Sequence, residues 1–295
     1  MRARSLAFAA FAAALFIPSL ASAYCRTTTC TPSTCVPSAD CAYCMEGGLP
    51  LYWPGGCASF SVQWDGSPLR GISATVTRDL VENAFGKWIG VDCGGGSPSV
   101  ALYKTDNVVC NKQEYNQDSG NANIWMYRDD GWPYVSSAAT LALTTVTYNV
   151  KTGEIFDADV EINSADNPIT VGDDQVQFDL DSIITHESGH FLGLAHSCDQ
   201  LATMFVSYKL GDTALRSLEA DDINGICAIY PPGKDVSNCD PTPRHGFATE
   251  CGSPPAEKGC CTTAPGTPSR SGSAAVLALL AGLALGSARR RRRRR

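Results

Sequence analysis

Apolar and polar positions settle into a globular rhythm at residue 60. Phe60, Val62 and Trp64 alternate with Ser61 and Gln63, the period of a strand, and Asp65-Gly66-Ser67-Pro68 turns the chain. Leu80, Val81, Ala84, Phe85 and Trp88 then recur at the helical period, behind Ser73 or Thr77 as a cap. Cys93-Gly94-Gly95-Gly96-Ser97-Pro98 ends that helix, and strands are expected over 100–103 and 123–127. Two more, over 138–149 and 154–163, join around Lys151-Thr152-Gly153 as a hairpin. In the second, Phe156, Ala158, Val160 and Ile162 share one face, and Asp157, Asp159, Glu161 and Asn163 the other. That oxygen-rich face is either a solvated sheet surface or, with oxygens from other loops, a calcium site. Leu180, Ile183, Ile184 and Phe191 stripe a second helix, capped by Asp179 or Asp181. An irregular stretch runs to Ser217, and a last helix is expected over 218–230, stopped by Pro231-Pro232-Gly233. Strands and helices mix without a regular βαβ repeat, so the fold class is α+β.

Both ends read as addresses. Residues 1–23 carry Arg2 and Arg4, an apolar run from Leu6 to Ile17 and Ala21-Ser22-Ala23, the pattern of a cleaved secretory signal. Residues 24–57 hold six cysteines, at 25, 30, 35, 41, 44 and 57, with few long apolar residues. Such a segment is held by bridges rather than by a core, and six cysteines allow fifteen pairings. The globular domain spans 58–232, and residues 233–270 read as a spacer rich in Pro and Ser. An apolar stretch over 271–288 is just long enough to cross a bilayer, and the arginines of 289–295 would hold its end inside. Cys260-Cys261, the apolar stretch and the arginine cluster together resemble the MYXO-CTERM sorting tails of myxobacterial exported proteins. That resemblance implies delivery to the cell surface or outer membrane, with membrane contact through the tail only.

Charge sharpens this picture. The formal net charge is −7. Setting aside the nine arginines of the two ends leaves 14 basic residues against 30 acidic ones. So acidic a body argues against nucleic acid as a partner. Fourteen cysteines suit an oxidising, exported setting. Cys93 and Cys110 bracket a strand and loop, where a local bridge is expected. No feature of the sequence sets an oligomeric state.

The chemistry concentrates in His186-Glu187-Ser188-Gly189-His190-Phe191-Leu192-Gly193-Leu194-Ala195-His196, which contains three of the four histidines. On a helix, His186 and His190 share a face and can meet one ion. Gly193 can take a positive φ, stop the helix and let the chain swing His196 in as a third ligand. Three nitrogen ligands leave a tetrahedral Zn²⁺ one open position, the mark of a catalytic ion. Glu187, no ligand itself, stands close enough to act as general base on a water. By chance the full pattern should occur well below about one time in a thousand in such a chain.

The motif, followed eight residues after His196 by Met204, resembles the metzincin zinc proteases with their Met-turn. The helix Thr77 to Trp88, the segment Gly153 to Val160, the Asp179-Leu180 lead and Leu218 to Tyr230 look like the matrixin branch. The resemblance covers roughly 58–232 and implies a twisted mixed sheet, an active-site helix, a C-terminal helix and one catalytic zinc. It also implies that the strand near Ala139 to Val146 pairs with extended protein or peptide substrates. A bridge between Cys198 and Cys227 would then fix the loop 199–217 that shapes the pocket beyond the scissile bond. The chain departs from the animal enzymes in lacking histidines for a second zinc and a Pro-Arg-Cys-Gly latency segment. Tyr208 stands four residues past Met204, a spacing unlike the tyrosine ligand of astacin-like enzymes. The rival reading is a surface adhesion or binding module that uses zinc only to hold its fold.

Overall fold

A computed structural model describes residues 23–30, 35–135, 139–252 and the backbone of 275–279. Short strands β1 (Cys25–Arg26), β2 (Val36–Pro37) and β3 (Met45–Glu46) belong to the cysteine-rich segment. The main sheet is built from β4 (Cys57–Val62), β5 (Ala101–Lys104), β6 (Ile124–Tyr127), β7 (Ala142–Tyr148) and β8 (Ile155–Ile162). Two-residue strands β9 (Ile169–Thr170), β10 (Phe178–Asp179) and β11 (Leu194–Ala195) follow, and β12 (Ala275–Leu279) comes last. The helices are α1 (Ala74–Ile89), α2 (Leu180–Phe191) and α3 (Ala220–Ile229). Strand order in the sheet is β12-β7-β8-β6-β4-β5. The pairs β5-β4, β4-β6 and β6-β8 are parallel, while β7 runs antiparallel to β8, with Thr144 opposite Val160 and Thr147 opposite Asp157. The class is α+β with a mixed sheet, as the pattern predicts.

Local signals explain the helices. Ser73 caps α1 by accepting from Val76 N at 3.2 Å, whereas Thr77 turns inward against Tyr127. Asp179 caps α2 by accepting from Ser182 N at 2.8 Å, and Asp181 pairs with Lys87 instead. The last helix starts two residues later than expected, because Glu219 and Asp222 form a capping box that sets Ala220 first. The apolar faces of α1 and α2 close over the sheet. Phe85 packs on Phe60, Trp125 and Phe191 with ring centroids 5.1–6.0 Å apart. Each such fully buried ring contributes roughly 1.5–3 kcal/mol. Trp88 Nε1 donates to Thr185 O at 2.9 Å and so ties α1 to the middle of α2.

The opposite sheet face corrects one expectation. Asp157, Asp159, Glu161 and Asn163 are at most 1% exposed, so this is no solvated surface. The chain over 108–123 covers it, and residues 244–251 lie against that cover. Val109 N donates to Thr249 O at 2.7 Å, and Asn121 N to Gly246 O at 2.8 Å. The start of the expected spacer, residues 233–252, is therefore a strap bound to the domain. Cys57–Cys239 and Cys110–Cys251 bolt it down.

The expected bridges are corrected likewise. Cys93 joins Cys227, not Cys110, because the glycine loop after α1 lies against the end of α3, where Ser99 N donates to Tyr230 O at 3.1 Å. Cys110 follows the strap to Cys251. Cys198 joins Cys41, not Cys227, because β1 pairs with β11 and lays the cysteine-rich segment beside Ala195. Cys25–Cys44 and Cys30–Cys35 complete that segment.

Most of the two address segments, residues 1–22, 253–274 and 280–295, lies outside the described residues, as do Cys260 and Cys261. Within the apolar stretch, 275–279 pairs antiparallel with β7 as β12. Five apolar residues suit a strand as readily as a helix, and the open edge of β7 offers them backbone partners. Among the described residues no helix is long and apolar enough to cross a membrane.

Candidate metal centre

α2 carries His186, Glu187 and His190, all wholly buried. Two anchors hold its N-terminus. Asp179 receives Arg216 through two bonds of 2.7 and 2.8 Å, and its backbone N–H donates to the Tyr208 hydroxyl at 2.9 Å. At the other end Gly193 takes φ +103°, and a Cβ there would come within 2.9 Å of Leu51 O. That turn ends the helix and feeds β11, whose pairing with β1 fixes the approach of His196.

The three rings converge. Their centroids lie 4.8 Å apart (His186 to His190), 4.8 Å (His190 to His196) and 5.3 Å (His186 to His196). Nδ1 of His186 donates to Thr203 O at 2.6 Å, and Nδ1 of His190 donates to Leu194 O at 2.9 Å. Those bonds turn each Nε2 inward, and all three Nε2 atoms are buried without a hydrogen-bond partner. One nitrogen from each ring lies within 4.8 Å of the others. Burial holds His186 down to about 4 and His190 to about 3, and pushes His196 well below the usual range. Three neutral imidazoles with unused lone pairs around one point are the donor set that a zinc ion takes.

Glu187 follows His186 on α2 and is wholly buried. Its Oε2 accepts from Thr144 Oγ1 at 2.6 Å, while Oε1 is buried and unpartnered. Burial pushes its carboxyl up to about 8, with the Thr144 bond pulling the other way. A divalent cation alongside would lower it again.

Met204 is 2% exposed and lies under α2. Gly189 leaves the space its sulfur fills; a Cβ at that position would collide with the thioether and with Trp88. The turn holding Met204 is tied at both sides, by Ser197 N to Met204 O at 2.8 Å and by Thr203 and Met204 N–H groups to Asp222. Tyr208 stands away from the histidines, at the N-terminus of α2.

Sequence reasoning missed three residues around this centre. Thr144 is a hydroxyl in an otherwise apolar phase of β7, a detectable signal. Asp222 acts through non-local backbone bonds that no spacing reveals. Tyr43 reaches the site only because Cys41–Cys198 brings it there, edge-on to His196 with centroids 5.7 Å apart. Of the acidic residues on β8, Glu161 is engaged by Arg128 and Tyr134, and Asp159 by the N–H groups of Ile124 and Glu114. Both Asp157 oxygens are without a partner.

Comparison with known proteins agrees with this geometry. Residues 113–231 match the matrixin family model. Human matrix metalloproteinase-20 is 34% identical over 40% of this chain and 24% of its own length. Metalloendoproteinase 1-MMP of Arabidopsis thaliana is 34% identical over 35% of this chain and 27% of its own. Human matrix metalloproteinase-26 is 27% identical over 45% of this chain and 48% of its own. The chain thus spans less than half the length of each of these relatives. The sheet order, the placement of α2 and the family match together give the metzincin fold.

Proposed function

We propose that this matrixin-like chain is a zinc-dependent endopeptidase, with His186, His190 and His196 holding one zinc ion and Glu187 as general base. The observation that carries the reading is the inward convergence of three unpartnered Nε2 atoms, with the buried, unpartnered Oε1 of Glu187 on the helix that carries two of them. When bound, zinc supplies Lewis acidity, lowering the pKa of water from about 15.7 toward 7 and stabilising negative charge on oxygen.

The remaining work belongs to the chain. Glu187 Oε1 takes a proton from the attacking water as oxygen bonds to the peptide carbon. The same carboxyl then gives that proton to the leaving nitrogen as the C–N bond breaks, so that two peptides result. β7 supplies the binding edge. Its pairing with β12 has the antiparallel form in which an extended peptide would add to the sheet. Asp157 is the carboxylate a calcium ion would engage on the far face. Six disulfides among the described residues favour an oxidising compartment, in keeping with export. Surface delivery through the tail is part of the same proposal.

Glu187→Gln tests the assignment against a zinc-stabilised binding module. The variant is expected to keep one zinc per chain while cleavage of a protein substrate such as casein disappears. Equal cleavage by both proteins would end the Glu187 assignment.

A further inference from the structure

Thr144 lies in the middle of β7, on the face turned toward α2. Ala142 and Val146 share that face and are buried and apolar, and Thr144 is itself wholly buried. Valine has the same shape and would satisfy the packing, whereas a buried hydroxyl costs free energy unless it is paired. Here Thr144 Oγ1 donates to Glu187 Oε2 at 2.6 Å. The other carboxylate oxygen, Oε1, has no partner and is equally buried. A glutamate's terminal torsion is broad and close to two-fold, so without a tether the carboxylate samples many orientations. The hydroxyl restrains one oxygen and thereby aims the other.

We infer that Thr144 is a positioning residue, which holds Oε2 so that Oε1 presents its lone pair to the space ringed by the three imidazoles. The inference rests on Glu187 being the base. Thr144 touches no reacting atom; it shortens the search of the carboxylate for the geometry in which a proton moves.

The test uses the full zinc-loaded chain and a quenched-fluorescent peptide. Thr144→Val should lower kcat about ten- to hundredfold, the size of one lost hydrogen bond to a carboxylate, with KM nearly unchanged. Zinc content and zinc affinity in chelator competition should stay close to wild type, and Thr144→Ser should recover most of kcat. A wild-type kcat for the valine variant overturns the inference. So does an equal loss in the valine and serine variants, which would assign the effect to shape. If the valine variant fails to fold, Thr144→Ser against Thr144→Ala makes the same comparison, and equal kcat for that pair overturns the inference. Glu187→Gln run in parallel separates the two levels. An active glutamine variant removes the underlying reading, whereas an inactive one beside a fully active Thr144→Val removes only the role of Thr144.

Discussion

Asp222, the third residue of α3, places both carboxylate oxygens on backbone N–H groups. Oδ1 accepts from Met204 at 3.0 Å, and Oδ2 from Thr203 at 2.7 Å and Glu219 at 2.9 Å. The Thr203 peptide in turn accepts from His186 Nδ1 through its carbonyl. One side chain therefore orients a histidine ring from two bonds away, as outer-shell partners of metal ligands do. In Asp222→Asn an amide NH₂ must face at least one of these donors. Stability should fall by on the order of 1–3 kcal/mol, lowering the melting temperature, because a buried donor is left unpaired. Zinc affinity should fall about ten- to hundredfold through the loosened His186. Thermal denaturation with chelator competition checks both, and wild-type values would show that the Met204 turn holds itself.

β8 shows how one element can serve two faces of a sheet. Ala158, Val160 and Ile162 build the core under α2, while Asp157 and Asp159 are buried on the far side. Burial, reinforced by neighbouring carboxylates, raises both acids well above the usual range. A raised folded-state value means that the folded chain binds the extra proton. Its contribution to stability is present near pH 4 and is lost as pH rises through the folded pKa. With chelator present, wild-type melting temperature should carry this downward term toward neutral pH. Asp157→Asn should flatten it and raise the melting temperature at pH 7, since it removes the cost of keeping a proton on a buried, unpartnered carboxyl. Added calcium that stabilises wild type but not the variant would place the ion at Asp157; a lower melting temperature for the chelated variant would contradict the buried-carboxyl account. The alternation that sorted these residues was legible in the sequence. Their burial was not, because what covers them comes from residues 108–123, held by a strap that begins more than seventy residues further on.

At the scale of the whole molecule, local signals were read and long-range closures were not. Ser73, Asp179 and Gly193 act on neighbours within a few residues, so caps and helix end followed from spacing. The histidine cluster was legible because two of its members share a helix and the third follows its terminal turn. Four of the six bridges among the described residues close loops with sequence separations of 134 to 182 residues. Pairings over such distances depend on the finished fold, and each restrains the unfolded chain by on the order of 4–5 kcal/mol. They also draw the cysteine-rich segment and the strap onto the domain, and with them Tyr43 onto the rim of the site. All these layers converge on the proposed zinc-dependent cleavage centre. Mass-spectrometric digestion of a peptide library tests it most directly, with the zinc-loaded protein, a chelated control and the control after zinc is restored. The account predicts cleavage at internal peptide bonds that vanishes on chelation and returns with zinc; cleavage that survives chelation, or none from protein carrying one zinc per chain, would contradict it.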